Sequence, residues 1–308
     1  MYLCRLIEKI GEMDRKFESL TVFEFQDRFP DDESCMAYLS EKKWSEGYVC
    51  SKCGHTRYCA GKQVYSRQCT RCCYVESVTS GTLFHKLKFS LRKAFYIIYY
   101  VSTNKKGISS TELSRKLGLR QKTCWLFKQK VMRGMKSSFL HKLAGQVEVD
   151  ETVIGGSEEG VVGRKNGKKK IVVIAAERKG KGISRFYGKV IEKSGAKELG
   201  GFMQTTVDVD ASIKADKWSG YKPLKSVFKN LRQVPSGKKG ENFPDLHRLI
   251  MGFKSWLRGI HHHAKHLQAY VDEYSYRFNR SFMKGDIFDN LIDRMLLAKP
   301  CTYKMIIG

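Results

Sequence analysis

Two pairs of cysteines constrain this chain more than anything else in it. Cys50-x-x-Cys53 is followed after fifteen residues by Cys69-x-x-Cys72. Two such knuckles at this separation predict a tetrahedral thiolate site for Zn²⁺ with all four positions filled by protein. A filled site leaves no place for water, so it holds a fold rather than running a reaction. A short strand over Val64–Gln68, between the knuckles, would make the module a zinc ribbon. Cys73 could replace Cys72, but the two-residue spacing favours Cys72. His55, beside the first knuckle, reads as a surface residue. Arg57, Lys62, Arg67 and Arg71 crowd the ribbon and suit contact with phosphates.

Charge sets the class of partner. The chain has 308 residues, room for two or three domains, and a net charge of +26. Residues 1–49 hold 7 basic and 11 acidic residues, net −4, whereas residues 50–308 are net +30. Such an excess recruits polyanions, nucleic acid foremost. No apolar run approaches the ~18 residues of a membrane helix. The N-terminus, MYLCRLIEKIGEMDRK, lacks the apolar stretch of a signal peptide. A cytoplasmic, nucleoid-associated protein is expected, with no membrane partner. There, ten cysteines point to metal rather than disulfides.

The order of segments suggests five parts: a helical N-terminal segment (1–49), the ribbon (50–80), a helix-turn-helix region (88–140), an α/β domain (145–283) and a C-terminal tail (284–308). Pro30 followed by Asp31, Asp32 and Glu33 marks a helix start, with Met36, Tyr38, Leu39 and Trp44 as its apolar side. Ser90 is positioned to cap LRKAFYIIYYVST. Ser110 or Thr111 can cap a helix with Leu113 and Leu117 inward, ended by Gly118. Arg120–Thr123 opens the next helix, with Trp125, Leu126 and Val131 inward. Helix, glycine turn and basic helix make the pattern whose second helix enters a major groove.

Beyond residue 146 the chain changes character. VEVDETVIGG, Val147–Gly156, starts as a buried strand and carries Asp150 near its end. A Gly- and Lys-rich segment, GSEEGVVGRKNGKKK, reads as an exposed turn. Strands are then expected over Ile171–Ala176 and Ile183–Ile191, a helix over Ala196–Thr205, and a strand over Ala211–Ala215 that ends at Asp216. If the first and last of these strands are neighbours, Asp150 and Asp216 meet. Residues 244–260 carry an unbroken apolar stripe from Leu246 to Ile260, with Pro244 in the first turn. His247, Lys254 and Arg258 form a second row beside it. His261–His263 reads as a polar cap. In YVDEYSYRFNR, Asp272 and Glu273 can pair at i+4, and the interleaved aromatic and basic residues suit a nucleic-acid surface.

Together, the Cys₄ ribbon, the helix-turn-helix, VEVDETVIGG, ADKWSGY, KSWLRG and YSYRFNR resemble the bacterial zinc-ribbon insertion-sequence transposases of the DDE type, whose catalytic domain is related to that of Merlin elements. The resemblance covers roughly residues 20–283. It implies an α/β, RNase H-like mixed five-stranded sheet with helices. It also implies a DNA transposase that binds insertion-sequence ends and performs metal-dependent strand cleavage and transesterification. The first two acidic positions of the family fall on Asp150 and Asp216. The third, seven residues before a lysine, falls on His247, with Lys254 retained.

Two-metal phosphodiester cleavage needs carboxylates that bridge or flank the ions. Asp150, Asp216 and His247 would hold Mg²⁺ or Mn²⁺, the histidine favouring Mn²⁺, and Lys254 would meet phosphate. Asp245 and Glu151 are nearby carboxylates able to stand in for the third ligand. Double-stranded DNA, as transposon ends and target, is the implied partner, bound by a homodimer or higher oligomer. Two other readings remain: a non-catalytic zinc-ribbon DNA-binding regulator derived from a transposase, and an RNase H-like nuclease.

Overall fold

A computed structural model describes residues 20–104, 106–156, 169–237, 240–261 and 265–307. Most of the Gly- and Lys-rich segment, together with His262, His263 and residues 1–19, lies outside them. The chain forms two compact units, one of residues 1–135 with 282–308, the other of residues 136–281.

The first unit opens with α1 (Val22–Arg28) and α2 (Asp32–Lys43). Each starts on a reciprocal cap: Thr21 with Glu24, then Asp31 with Ser34. The ribbon follows as three short antiparallel strands, β1 (Tyr58–Ala60), β2 (Arg67–Cys69) and β3 (Val75–Glu76). The strand expected over Val64–Gln68 therefore starts later, because Tyr65 turns the chain at φ 57°. Next come α3 (Leu91–Thr103), α4 (Ser110–Leu117) and α5 (Gln121–Met135).

Ser90 takes the N-cap position of α3, but its side chain makes no cap hydrogen bond. Its hydroxyl donates to Asp32 Oδ1 (2.6 Å), and the same oxygen accepts the Arg92 N–H (2.7 Å), so a residue of α2 caps α3. Ser109, one residue before the expected Ser110, caps α4 by accepting from Glu112 N–H (3.0 Å), and Gly118 ends it in the left-handed conformation. On α5 the buried stripe runs through Cys124, Phe127, Val131 and Met135, while Trp125 and Leu126 are half-buried.

Residues 284–308, set apart as a tail by sequence, are folded into this unit. In α9 (Ile287–Leu297), Phe288, Leu291, Ile292 and Met295 are fully buried. Phe288 packs on Phe25, Phe29 and Phe95 at ring distances of 5.7–5.8 Å. Asp289 pairs with Arg28, and Asp293 with Lys42. A short helix, α10 (Tyr303–Ile307), ends the described chain.

The second unit is built on one mixed sheet of β4 (Gln146–Ile154), β5 (Lys170–Lys179), β6 (Gly182–Ile191), β7 (Ser212–Asp216) and β8 (Leu231–Val234). Its order is β6-β5-β4-β7-β8, with β4, β5 and β6 antiparallel and β7 and β8 parallel to β4. This is an RNase H-like sheet. Strand alternation gives each strand two faces. Val147, Val149, Val173, Ala175, Ile213 and Ala215 share one core with Leu199, Phe202 and Met203 of α6 (Ala196–Thr206) and with Tyr221 of a 3₁₀ helix, Ser219–Ser226. The opposite face carries Glu148, Asp150, Lys214 and Asp216 and meets α7 (Pro244–Ile260) and α8 (Leu267–Asn279).

Alternation also explains why YSYRFNR is not the exposed surface it resembles. Strand β6 is a sheet edge, and α8 covers it with side-chain amides. Asn279 accepts from Phe186 N–H (2.9 Å) and donates to Phe186 C=O (2.8 Å); Gln268 accepts from Val190 N–H (2.8 Å). Tyr276 is buried, and the Arg277 guanidinium pairs with Glu273, whose exposure is 0%. The residues of this motif close an edge that would otherwise template aggregation.

Candidate active site

The ribbon brings its four predicted ligands together. The sulfurs of Cys50, Cys53, Cys69 and Cys72 all lie within 4.8 Å of one another, with Cys50–Cys72 and Cys53–Cys69 both at 3.6 Å. Tetrahedral Zn²⁺ with Zn–S of about 2.3 Å needs sulfurs roughly 3.8 Å apart, so the residues present fit the ion. Burial opposes ionisation at Cys50, but the N–H groups of Lys52 and Cys53 and the neighbouring sulfurs outweigh it and pull the thiol down to about 6. Cys69 is lowered in the same way, with N–H groups from Cys72 and Arg71. Backbone amides thus favour thiolate at Cys50 and Cys69, whereas at Cys72 the Tyr74 N–H opposes and contacts with Cys53, Cys50 and Cys69 push the thiol up.

Cys73 is exposed and outside the set, and His55 Nε2 meets Thr70 Oγ1 (3.1 Å) instead of the cluster. The Arg67 guanidinium lies against the rings of Trp44 (4.2 Å) and Tyr58 (4.1 Å).

In the second unit, β4 and β7 run parallel with Val149 opposite Ala215. The ladder ends there, and Asp150 and Asp216 are the next residue on each strand, on the face that also carries Glu148 and Lys214. Both are half-buried. Asp216 ends its strand as expected. Asp150 does not: β4 continues to Ile154, paired with β5 alone, so Asp150 stands where pairing with β7 stops. Each carboxylate is held by main chain. Asp150 Oδ1 accepts Glu151 N–H (2.8 Å), and Asp216 Oδ1 accepts the N–H groups of Lys217 (2.6 Å) and Ser236 (3.2 Å). Rigid backbone thus sets both directions.

His247 and Lys254 sit two turns apart on α7, both half-buried. Lys254 is within electrostatic reach of Asp150. Burial and Arg258 pull its ammonium below the usual lysine range, and Asp150 pulls the other way. The His247 ring packs on Gly240, whose φ of +76° brings the chain within reach of it; a Cβ there would lie 2.5 Å from Nδ1. Among the described residues the four cysteines are the only set of three or more ligand-type side chains converging within 4.8 Å, so Asp150, Asp216 and His247 do not close to that degree. Two carboxylates on one face of neighbouring strands, with an imidazole on a helix packed on that face, nonetheless suit a hard divalent cation in their donor chemistry.

The two stand-in carboxylates have other partners. Asp245 pairs with Arg178 (2.9 Å) and Arg248 (3.3 Å). Glu151 faces the opposite side of the sheet, beside Tyr221, which is 0% exposed. Burial first, then the charges of Glu151 and Asp150, a contact to Glu151 and the charge of Asp216 push the Tyr221 phenol far up.

Sequence reasoning missed Glu148. It is 2% exposed and faces Arg178 (3.5 Å) and Lys214 (4.0 Å), two residues before the aspartates and on the same face of the sheet. Burial raises its carboxyl, while Arg178 and Lys214 lower it. The signal was a third acidic residue within four positions of a strand, which alternation alone assigns to solvent.

An ISXO2-like transposase domain matches residues 142–279, and a transposase zinc-ribbon domain matches residues 30–75. No curated protein matches. Among solved structures, a pre-cleavage Mos1 transpososome aligns at 11% identity over 64% of this chain and 76% of that one, with a TM-score of 0.26. A Mos1 transposase paired-end complex with the left transposon end aligns at 12% identity over 62% and 76%, with a TM-score of 0.21. Neither likeness reaches a level that informs residue roles. The two domain matches together span more than half of the chain, in the order the ribbon and sheet are found, and the chain belongs to the zinc-ribbon insertion-sequence transposases.

Proposed function

We propose that this transposase cuts and rejoins DNA at insertion-sequence ends, using Asp150, Asp216, His247 and Lys254 with a divalent cation. The observation that carries this reading is the placement of Asp150 and Asp216 one residue beyond the last paired position of two parallel neighbours, with Lys254 coupled by charge to Asp150. Mg²⁺ or Mn²⁺, when bound, supplies Lewis acidity at the scissile phosphate. Asp150 and Asp216 hold that cation from fixed backbone. His247 contributes a ring nitrogen as ligand or proton carrier. Lys254, half-buried and less well solvated than a surface lysine, meets a phosphate oxygen.

End recognition falls to the ribbon and to α4 and α5, whose exposed Gln121, Lys122 and Arg133 accompany a chain of net charge +26. Pairing of two ends makes a homodimer or larger assembly on DNA the working form. A cytoplasmic location at the nucleoid goes with it; among the described residues no helix is long and apolar enough to cross a membrane.

The test is cleavage and joining of DNA bearing the flanking element ends, with Mg²⁺ and with Mn²⁺. Asp150→Asn is expected to lose both reactions and keep end binding. Cleavage retained by that variant overturns the reading. End binding by the unaltered chain with no cleavage under either metal would instead identify a regulator, and cutting without regard to ends a nuclease.

A further inference from the structure

Helix α7 begins without a cap of its own. Phe243 occupies the cap position and supplies no side-chain acceptor, and Pro244 follows. The first turn of a helix exposes N–H groups and partial positive charge that need an acceptor. Among the described residues, neither Glu148 oxygen accepts a hydrogen bond; the buried carboxylate is tied to this turn by the charges of Arg178 and Lys214.

Around this carboxylate the start of α7 is fastened to three strands. Arg178 of β5 bridges Glu148 of β4 (3.5 Å) and Asp245 of α7 (2.9 Å). Lys214 of β7 reaches Glu148 (4.0 Å), donates to the Asn242 carbonyl and lies over the Phe243 ring (4.6 Å). Glu148 and Lys214 face each other across β4 and β7, two residues before Asp150 and Asp216 on the same face. One residue after Leu246 comes His247.

We infer that Glu148, with Arg178 and Lys214, is a positioning group that fixes the start of α7 on the sheet and thereby sets His247 against Asp150 and Asp216. The inference rests on the metal-site reading above. A buried ion group of this kind is a poor source of net stability. It is a good source of fixed geometry, because the carboxylate sits on the strand that carries Asp150 and its partners reach both β7 and α7. Nothing in the cluster needs to touch DNA or cation.

The test is a double-mutant cycle on Mn²⁺ binding by the full zinc-loaded chain without DNA, followed by the electron paramagnetic resonance signal of free Mn²⁺. His247→Ala is expected to weaken binding. Glu148→Gln is expected to weaken it by about tenfold, the usual scale for residues that orient a ligand. The two together are expected to bind no more weakly than His247→Ala alone, because both act through one group. Zinc content and far-ultraviolet circular dichroism report folding.

Arg178→Gln, at a half-exposed position, carries the same cycle if Glu148→Gln does not fold. Full additivity of either variant with His247→Ala sinks the positioning role and leaves the Asp150–Asp216 reading intact. A silent His247→Ala removes His247 from the site, and this inference with it.

Discussion

In the proposed site, position 247 would decide which cation is favoured. An imidazole joining two carboxylates as ligand suits Mn²⁺, whereas Mg²⁺ prefers oxygen. His247→Glu is therefore expected to raise Mg²⁺-supported cleavage relative to Mn²⁺ by about tenfold, read from parallel metal titrations; an unchanged ratio would argue against a metal role. Asp272 makes a separate statement about pH. Burial raises its carboxyl to about 6, against the opposing Gln268 bond and the charge of Lys136. The folded chain keeps a proton there that the unfolded chain releases near 4. Stability is therefore gained as pH falls from about 6 toward 4, and lost as it rises. Asp272→Asn should remove that slope and add on the order of 2 kcal/mol at pH 8, measured by urea unfolding. Asp150 and Asp216 were legible as residues because each sits in a short apolar strand whose alternation names its face. Glu148 was not, since a sheet covered on both faces buries the positions that alternation assigns to water.

Elements were legible where they carry their own start and stop signals. Helix α2 begins at the acidic cluster after Pro30, and α7 runs over the whole of the apolar stripe. Elements whose ends are held by other elements were harder. Ser90 looks like a cap in sequence, yet Asp32 of α2 does that work. Strand β8 has four residues and no alternation to announce it. YSYRFNR reads as a wet surface because its partner, the β6 edge, is some ninety residues away in sequence. Asn279→Ala is expected to cost about 2–4 kcal/mol, since it leaves both the N–H and C=O of Phe186 without that amide. Light scattering should then show association at lower protein concentration, as the strand edge is opened.

At the scale of the molecule, the four cysteines and the α/β order located both units, but the closing of the first by the last helix left no local trace. The stripe of α9 has the period of any surface helix, and only its partners Phe25, Phe29 and Phe95 make it core. A chain ending at Ser281 is expected to lose cooperative unfolding of the first unit and to take up zinc poorly, checked by calorimetry and metal analysis, while the second unit keeps its far-ultraviolet signature. In sequence, the second unit is an insertion between Met135 and Phe282 of the first. A ribosome must therefore translate the whole second unit before the first can finish its core. If the first unit binds element ends as proposed, copies stopped before Phe282 would release chains that neither cut nor occupy the ends, and so would not compete with the intact chain for them.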